Sequence, residues 1–478
     1  MEPLSYDLVV IGSGPAGEHG ATTAASFGKR VALIEKSSFV GGASTNTGTL
    51  PSKTLRETAL AISGLRARDL YGVDLSLRRE ATVADFMFHE RRVTANERDR
   101  VDQGLRRRDI TVHHGTASFV DPHTLRVVPA GVDPASRAGD GLLIRGEFVL
   151  IATGSSPAHP PGFPFEHDRV HDSDEVLQLA RLPRSMAVVG AGVIGCEYAC
   201  TFAALGTRVW IVDGRNELLP FLDQEVSRAL ETAMHERLGI EFLWGTKVVG
   251  CDAPAEGEIT LSLEPGSVLK ADSVLVAAGR TSNTASLNLQ AAGLCTGPRG
   301  LVVVDHFYRT AVPHIYAAGD VIGFPALAST SAKQARIAMT HAFYPASHAE
   351  LSPILPAGIY SIPEVAMVGA AEEDLKARGI DYVVGRAYYA ESARGEIIGD
   401  STGFLKLIFQ RSDMALLGVH VLGEQATELV HIGLMGMLTR STAEVFTRAC
   451  FNFPTLGDLY QDAAEDALNQ RAAGVVSS

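Results

Sequence analysis

Unbroken apolar runs, each closed by a glycine turn or an acid, recur along this chain in a pattern that repeats itself. The run Leu8-Val9-Val10-Ile11 enters Gly12-Ser13-Gly14-Pro15-Ala16-Gly17, an alanine-rich stretch follows, and Val31-Ala32-Leu33-Ile34 ends at Glu35. Later, Ala187-Val188-Val189 enters Gly190-Ala191-Gly192-Val193-Ile194-Gly195, and Val209-Trp210-Ile211-Val212 ends at Asp213. Each segment predicts a strand, a glycine turn, a helix and a second strand closed by an acid. The interval from Gly12 to Glu35 equals that from Gly190 to Asp213. One such segment is weak evidence; two with matching acids are strong. They predict two Rossmann-like units in an α/β chain, each built for a dinucleotide.

The residue types follow from the chemistry. Gly12 and Gly190 permit a tight turn, and Gly14 and Gly192 let backbone approach a pyrophosphate. Gly17 and Gly195 let helix and strand pack closely, so that the helix N-terminus faces the phosphates. Glu35 and Asp213 accept hydrogen bonds from ribose hydroxyls. Two such sites imply two dinucleotides able to exchange a hydride.

Further along, Phe404 to Phe409 alternates in the manner of an antiparallel strand, and helix is expected from Glu424 onward. The Gly-, Pro- and polar-rich stretch from Asp133 to Gly141 predicts a surface turn between strands. Apolar residues make up 46% of 478 positions, enough for about three domains. A net charge of -13 argues against nucleic acid or an anionic membrane as partner. The N-terminus shows no signal-peptide pattern, and no apolar run is long enough to span a bilayer. Five scattered cysteines suit a reduced, cytoplasmic protein. Cys196 and Cys200, four apart on a predicted helix, are read as small buried hydrophobes, and no metal site is expected.

Several segments together resemble the pyridine nucleotide-disulfide oxidoreductases, such as dihydrolipoyl dehydrogenase and glutathione reductase. Gly41-Gly42-Ala43-Ser44-Thr45-Asn46-Thr47-Gly48-Thr49-Leu50-Pro51-Ser52-Lys53 is similar to the family's redox-active segment. That segment holds a Cys-x4-Cys pair; here Ser44 and Thr49 stand in both places. A hydroxyl cannot cycle between thiolate and disulfide. Near the C-terminus, Phe451-Asn452-Phe453-Pro454-Thr455-Leu456-Gly457-Asp458 is similar to the family's His-x-His-Pro-Thr-x-x-Glu element. Phe453 takes the position of the acid-base histidine and Asp458 that of its glutamate, and phenylalanine transfers no proton. Both halves of one chemical device are lost while its frame is kept.

The resemblance covers most of the chain. It places Ile151-Ala152-Thr153-Gly154 and Ile315-Tyr316-Ala317-Ala318-Gly319-Asp320 in flavin-binding elements, with Asp320 on the ribityl chain. Val276-Ala277-Ala278-Gly279-Arg280 closes the nucleotide domain, and Ile359-Tyr360-Ser361-Ile362-Pro363-Glu364 opens the interface domain that pairs two subunits. It implies an FAD-binding domain at 1–157 and 281–349, an NAD(P)-binding domain at 158–280 and an interface domain at 350–478. It also assigns Gly42, Thr45, Gly48, Ala117, Thr153, Gly154, Ile194, Gly279 and Ala328 to cofactor contacts. Lys53 and Glu197 match an ion pair that lies beside the flavin in relatives.

Within the family, Gly48-Thr49-x-Pro51-Ser52-Lys53 and Asn452-Phe453-Pro454-Thr455 are similar to the soluble, FAD-dependent NAD(P)+ transhydrogenases. Those members keep a lone Cys where this chain has Ser44. The similarity implies a homodimer that moves hydride between NADPH and NAD+ by a ping-pong route. Asp213 suits NAD and repels the NADP 2′-phosphate, which Arg208 or, more favourably placed, Arg215 would offset. The same acid fits an NADH-preferring diaphorase or oxidase, and a third reading is a non-catalytic flavin-binding redox sensor descended from the family.

Overall fold

The structure, a computed structural model, describes residues 2–64, 83–129, 141–179, 181–347 and 349–476. The chain divides into two compact units. The first comprises Met1–Thr54, Met87–Ala158 and Gly279–Leu351, and the second Leu55–Phe86, His159–Ala278 and Ser352–Ser478. Of the surface turn expected from Asp133 to Gly141, all but Gly141 lies outside the described residues.

In the first unit the apolar run at Leu8–Ile11 becomes the inner part of strand Leu4–Ile11. It is flanked by strands Val31–Glu35 and Leu142–Ile151, both parallel to it, and Thr111–His114 lies parallel beyond the former. Strand Leu142–Ile151 also carries Ile315–Ala317 in parallel and Thr124–Val128 antiparallel, and Thr116–Asp121 completes that edge. Strands covered on both faces read as unbroken apolar runs, which is why alternation is absent at Leu8–Ile11. One face buries Leu8, Val10, Leu33 and Leu150 beneath helices Pro15–Ser26 and Ala328–Phe343. The other buries Val9, Ile11, Ile34 and Ile151 with Phe119 and Leu125. Each such side chain contributes about 1.5–3 kcal/mol.

The second unit holds a parallel sheet in the order Glu241–Leu243, Arg208–Val212, Ser185–Val189, Ser273–Val276, Val170–His171. A three-stranded antiparallel meander, Lys247–Asp252, Ile259–Glu264 and Ser267–Ala271, packs against it. A five-stranded antiparallel sheet, from Ala357–Ile359 to Tyr382–Tyr388, is backed by helices Ala426–Leu438 and Leu459–Val476. The strand and helix expected from Phe404 and from Glu424 are Phe404–Gln410 and Ala426–Leu438.

Strand Phe404–Gln410 also buries a lysine. Lys406 is fully covered, and its Nζ donates to Asp223 Oδ1 at 2.8 Å, Glu225 Oε2 at 2.8 Å and Glu372 Oε1 at 2.6 Å. Arg386 closes the far side of Glu225 with two bonds of 2.8 Å. Burial pushes the Glu372 carboxyl up, but the Lys406 ammonium and Tyr382 hydroxyl outweigh it and hold it at about 2. These three acids stand close enough together to ligate a metal ion, and the lysine supplies the positive charge instead.

Candidate functional site

The first glycine turn links strand Leu4–Ile11 to helix Pro15–Ser26. Gly12 has φ +100°, and a β-carbon there would stand 2.4 Å from Ala152 O; one at Gly17 would stand 1.9 Å from Gly12 O. Larger residues at either position would push strand and helix apart. Glu35, at the end of its strand, is 5% exposed. Its Oε2 accepts from Ser13 N at 3.0 Å and Ser13 Oγ at 2.5 Å, and its Oε1 accepts from Ser37 N at 2.8 Å. Ser13 Oγ accepts in turn from Gly41 N at 3.0 Å. The acid is therefore tied to the segment that replaces the redox pair.

That segment forms the short helix Gly42–Asn46 and the start of helix Thr49–Ser63. Gly42 lies against Gly14: a β-carbon on it would stand 2.6 Å from Gly14 Cα. Thr45 is buried, Ser44 half-buried and Thr49 exposed, and Gly48 N donates to Ala43 O at 2.7 Å. Arg98 donates to Asn46 Oδ1 at 2.5 Å while lying over the Phe39 ring. Lys53 is half-buried, with Nζ 3.3 Å from Ser52 Oγ.

Of the other segments expected to contact flavin, the backbone of Ala152 and Thr153 lies against Gly12. Ala117 is buried on strand Thr116–Asp121, and Ala328 opens helix Ala328–Phe343. Gly154 and Gly279 both have positive φ, with open space where a side chain would point. Asp320 Oδ2 accepts from Ser155 Oγ at 2.7 Å, and Arg280 Nε donates to the same hydroxyl at 2.8 Å. Thr153 Oγ1 is buried and, among the described residues, has no hydrogen-bond partner. A buried hydroxyl left unpaired costs about 1–3 kcal/mol. Together with the close backbone packing at Gly12 and Gly17, it fits a crevice completed by a dinucleotide. The sequence reading missed Ser13, whose place inside the Gly-x-Gly turn was the available signal.

The second turn repeats the backbone and changes the side chains. Gly190 has φ +110° and would place a β-carbon 2.5 Å from Ala277 O; one at Gly195 would stand 2.0 Å from Gly190 O. Nothing lies within 4 Å of a β-carbon at Gly192. Ile194 is half-buried on helix Val193–Ala204, and Glu197 on the same helix is 6% exposed, its Oε1 accepting from Tyr360 N at 3.0 Å. Asp213 accepts from Ala191 N at 2.7 Å and from Arg215 N at 2.8 Å. The Arg215 guanidinium grips both its oxygens, at 2.9 and 2.7 Å. Burial pushes the Asp213 carboxyl up, but Arg215 and the Ala191 amide outweigh it and hold it at about 2. Arg208 sits elsewhere: it opens its strand, pairs with Glu241 at 2.9 Å and lies over Trp210.

Cys196 and Cys200 are fully buried, and burial pushes the Cys200 thiol up to about 12. Neither is a thiolate at neutral pH, so neither replaces the lost relay. Phe453 is 69% exposed, beside a turn in which Thr455 Oγ1 donates to Asn452 O at 2.6 Å. Among the described residues, no helix is long and apolar enough to cross a membrane.

Two family descriptions match this chain. Residues 6–339 match "pyridine nucleotide-disulphide oxidoreductase", and 355–464 match the dimerisation domain of the same family. The chain belongs to the pyridine nucleotide-disulphide oxidoreductase family. It is 45% identical over 468 residues to a soluble pyridine nucleotide transhydrogenase of Mycobacterium tuberculosis, covering 98% of both chains. It is 40% identical over 476 residues to a protein of that name from Yersinia enterocolitica, covering 98% of this chain and 99% of the other. Among solved structures, the Cu(II) complex of the HOCl-induced flavoprotein disulfide reductase RclA from Escherichia coli superposes with a TM-score of 0.87. The identity there is 27%, and the match covers 97% of this chain and 99% of that one.

Proposed function

We propose that this chain is an FAD-dependent transhydrogenase that moves hydride between NADPH and NAD+ in two alternating half-reactions. The observation that carries the reading is the pairing of two intact dinucleotide turns with a redox segment whose sulfur positions are Ser44 and Thr49. Similarity over the full length to proteins named soluble pyridine nucleotide transhydrogenase supports it. Residues 1–157 and 281–349 hold FAD, 158–280 take the nicotinamide nucleotide, and 350–478 pair two subunits in a homodimer. FAD, when bound, supplies a two-electron carrier that one nicotinamide nucleotide reduces and another reoxidises.

Each residue then has a task. Glu35 fixes ribose hydroxyls of the flavin nucleotide, and Thr153 offers it an unpaired hydroxyl. Asp320 holds the ribityl chain. Lys53 and Glu197 orient the nicotinamide, with Lys53 favouring negative charge nearby. Gly190, Gly192 and Gly195 admit the second pyrophosphate, and Asp213 with Arg215 reads the ribose. Phe453, exposed in the single chain, closes the former thiol channel in the partner subunit and excludes water and oxygen.

Anaerobic reduction by NADPH followed by reoxidation with thio-NAD+ tests the reading. With no disulfide beside it, each flavin should take up about two electrons. Uptake near four, or reoxidation by quinone but not by thio-NAD+, would replace it.

A further inference from the structure

One cation at the nucleotide turn has no task in that scheme. Lys247 opens strand Lys247–Asp252, and its side chain turns back over Gly214, the residue between Asp213 and Arg215. A β-carbon at Gly214 would stand 3.5 Å from Lys247 Cγ and 3.6 Å from Cε, so the lysine stem lies in van der Waals reach of this backbone. Glu264 is its register partner on the next strand, yet among the described residues no carboxylate forms an ion pair with the Lys247 ammonium.

The need for a second cation follows from counting anions. With NAD(H) bound, Arg215 can remain on Asp213, as it does here. The 2′-phosphate of NADP(H) draws Arg215 toward itself and leaves Asp213 facing a dianion. Glu217, exposed on the same turn, adds to that repulsion. One guanidinium cannot answer two anions at full strength. We propose that Lys247 is the second cation of an adenosine 2′-phosphate seat, and that Arg215 is shared between that phosphate and Asp213. The inference rests on reading this turn as the nicotinamide-nucleotide site. The division of labour matches the chemistry of the two side chains. The planar fork of arginine suits a carboxylate it grips and releases, while lysine is a point charge on a flexible stem that can follow a phosphate.

Calorimetric titration of the full-length, flavin-loaded protein with adenosine 2′,5′-bisphosphate and with 5′-AMP isolates the contribution, since the two ligands differ only in that phosphate. Lys247→Met should weaken the bisphosphate about tenfold and 5′-AMP under about twofold, and Lys247→Arg should restore most of the loss. Lys247→Gln, which keeps a polar surface residue, should behave as the Met variant does. Equal losses for both ligands, or no loss for the bisphosphate, would overturn the assignment. So would a wild-type protein that binds neither ligand or does not distinguish them. Intact discrimination without hydride transfer to thio-NAD+ would defeat the transhydrogenase reading and leave Lys247 in its role.

Discussion

The two glycine turns share a backbone and differ in how each treats its acid. Glu35 is buried and held by Ser13 and the Ser37 amide, neutral donors anchored in the fold. Asp213 is held mainly by Arg215, an exposed side chain two residues away. Gly14 is roofed by Gly42, whereas Gly192 faces open space. A cofactor that stays for the life of the protein suits a closed cradle of fixed dipoles. Substrates that come and go suit an open one, whose charge is balanced by a partner able to let go.

The largest effect should come from the roof. Gly42 has φ +58° and backbone 2.6 Å from a would-be β-carbon, so Gly42→Ala should cut the flavin content of purified protein below about a tenth. Gly192→Ala meets nothing, so it should keep its flavin and raise KM for both nucleotides about tenfold. The opposite pattern would dissolve the contrast between the turns. Next, Ser13→Ala strips the buried Glu35 and the Gly41 amide of a partner and should cost about 1–3 kcal/mol in thermal unfolding. Arg215→Ala should cost under about 1 kcal/mol of stability, because the guanidinium is exposed and Asp213 keeps the backbone amides of residues 191 and 215. That variant should instead lower the NADPH-to-NADH ratio of kcat/KM, by up to ~1.5–3 kcal/mol. Asp213→Asn should raise the ratio. Unchanged ratios in both variants would mean that the turn does not read the 2′ position.

The smallest expected effect is one of pH. Asp213 is held at about 2, below its ordinary value of 3.8. A depressed carboxyl adds stability above its unfolded value, and this is lost as pH falls through the folded one. The KM for NADH should therefore stay flat from neutral pH down to about 4 and change only below it, whereas that for NADPH also follows its 2′-phosphate, which takes up a proton at about pH 6. A KM for NADH that titrates near neutrality would point to a different group.

What the sequence made legible tracks how tightly geometry dictates residue type. Gly12, Gly17, Gly190 and Gly195 were readable because a β-carbon at each would strike backbone within 2.5 Å. Arg208 and Arg215 were both candidate counter-ions, with Arg215 the better placed in sequence. Strand Arg208–Val212 separates them, placing Arg208 beside Glu241 at one end and Arg215 beside Asp213 at the other. Lys247 was not legible at all, since only the fold returns it to Gly214. Nor was helix Val83–Arg106 foreseen, whose Arg98 reaches the redox-segment frame. Lys406 was hidden by expectation: in an alternating strand a lysine is read as facing water, and here both faces are covered.

That lysine has an evolutionary consequence. Asp223 and Glu225 stand at the start of one helix, Glu372 lies far along the chain, and all three share one amine. Replacing any member alone strands buried charge, at about 3–5 kcal/mol when the lysine goes, a large share of a protein's net stability. Exchanging the whole set for well-packed apolar residues would be close to neutral. The only inexpensive path between those two states changes several codons together. Descendants of this chain should therefore inherit the quartet as a block, while the nucleotide turn remains free to drift in specificity one residue at a time.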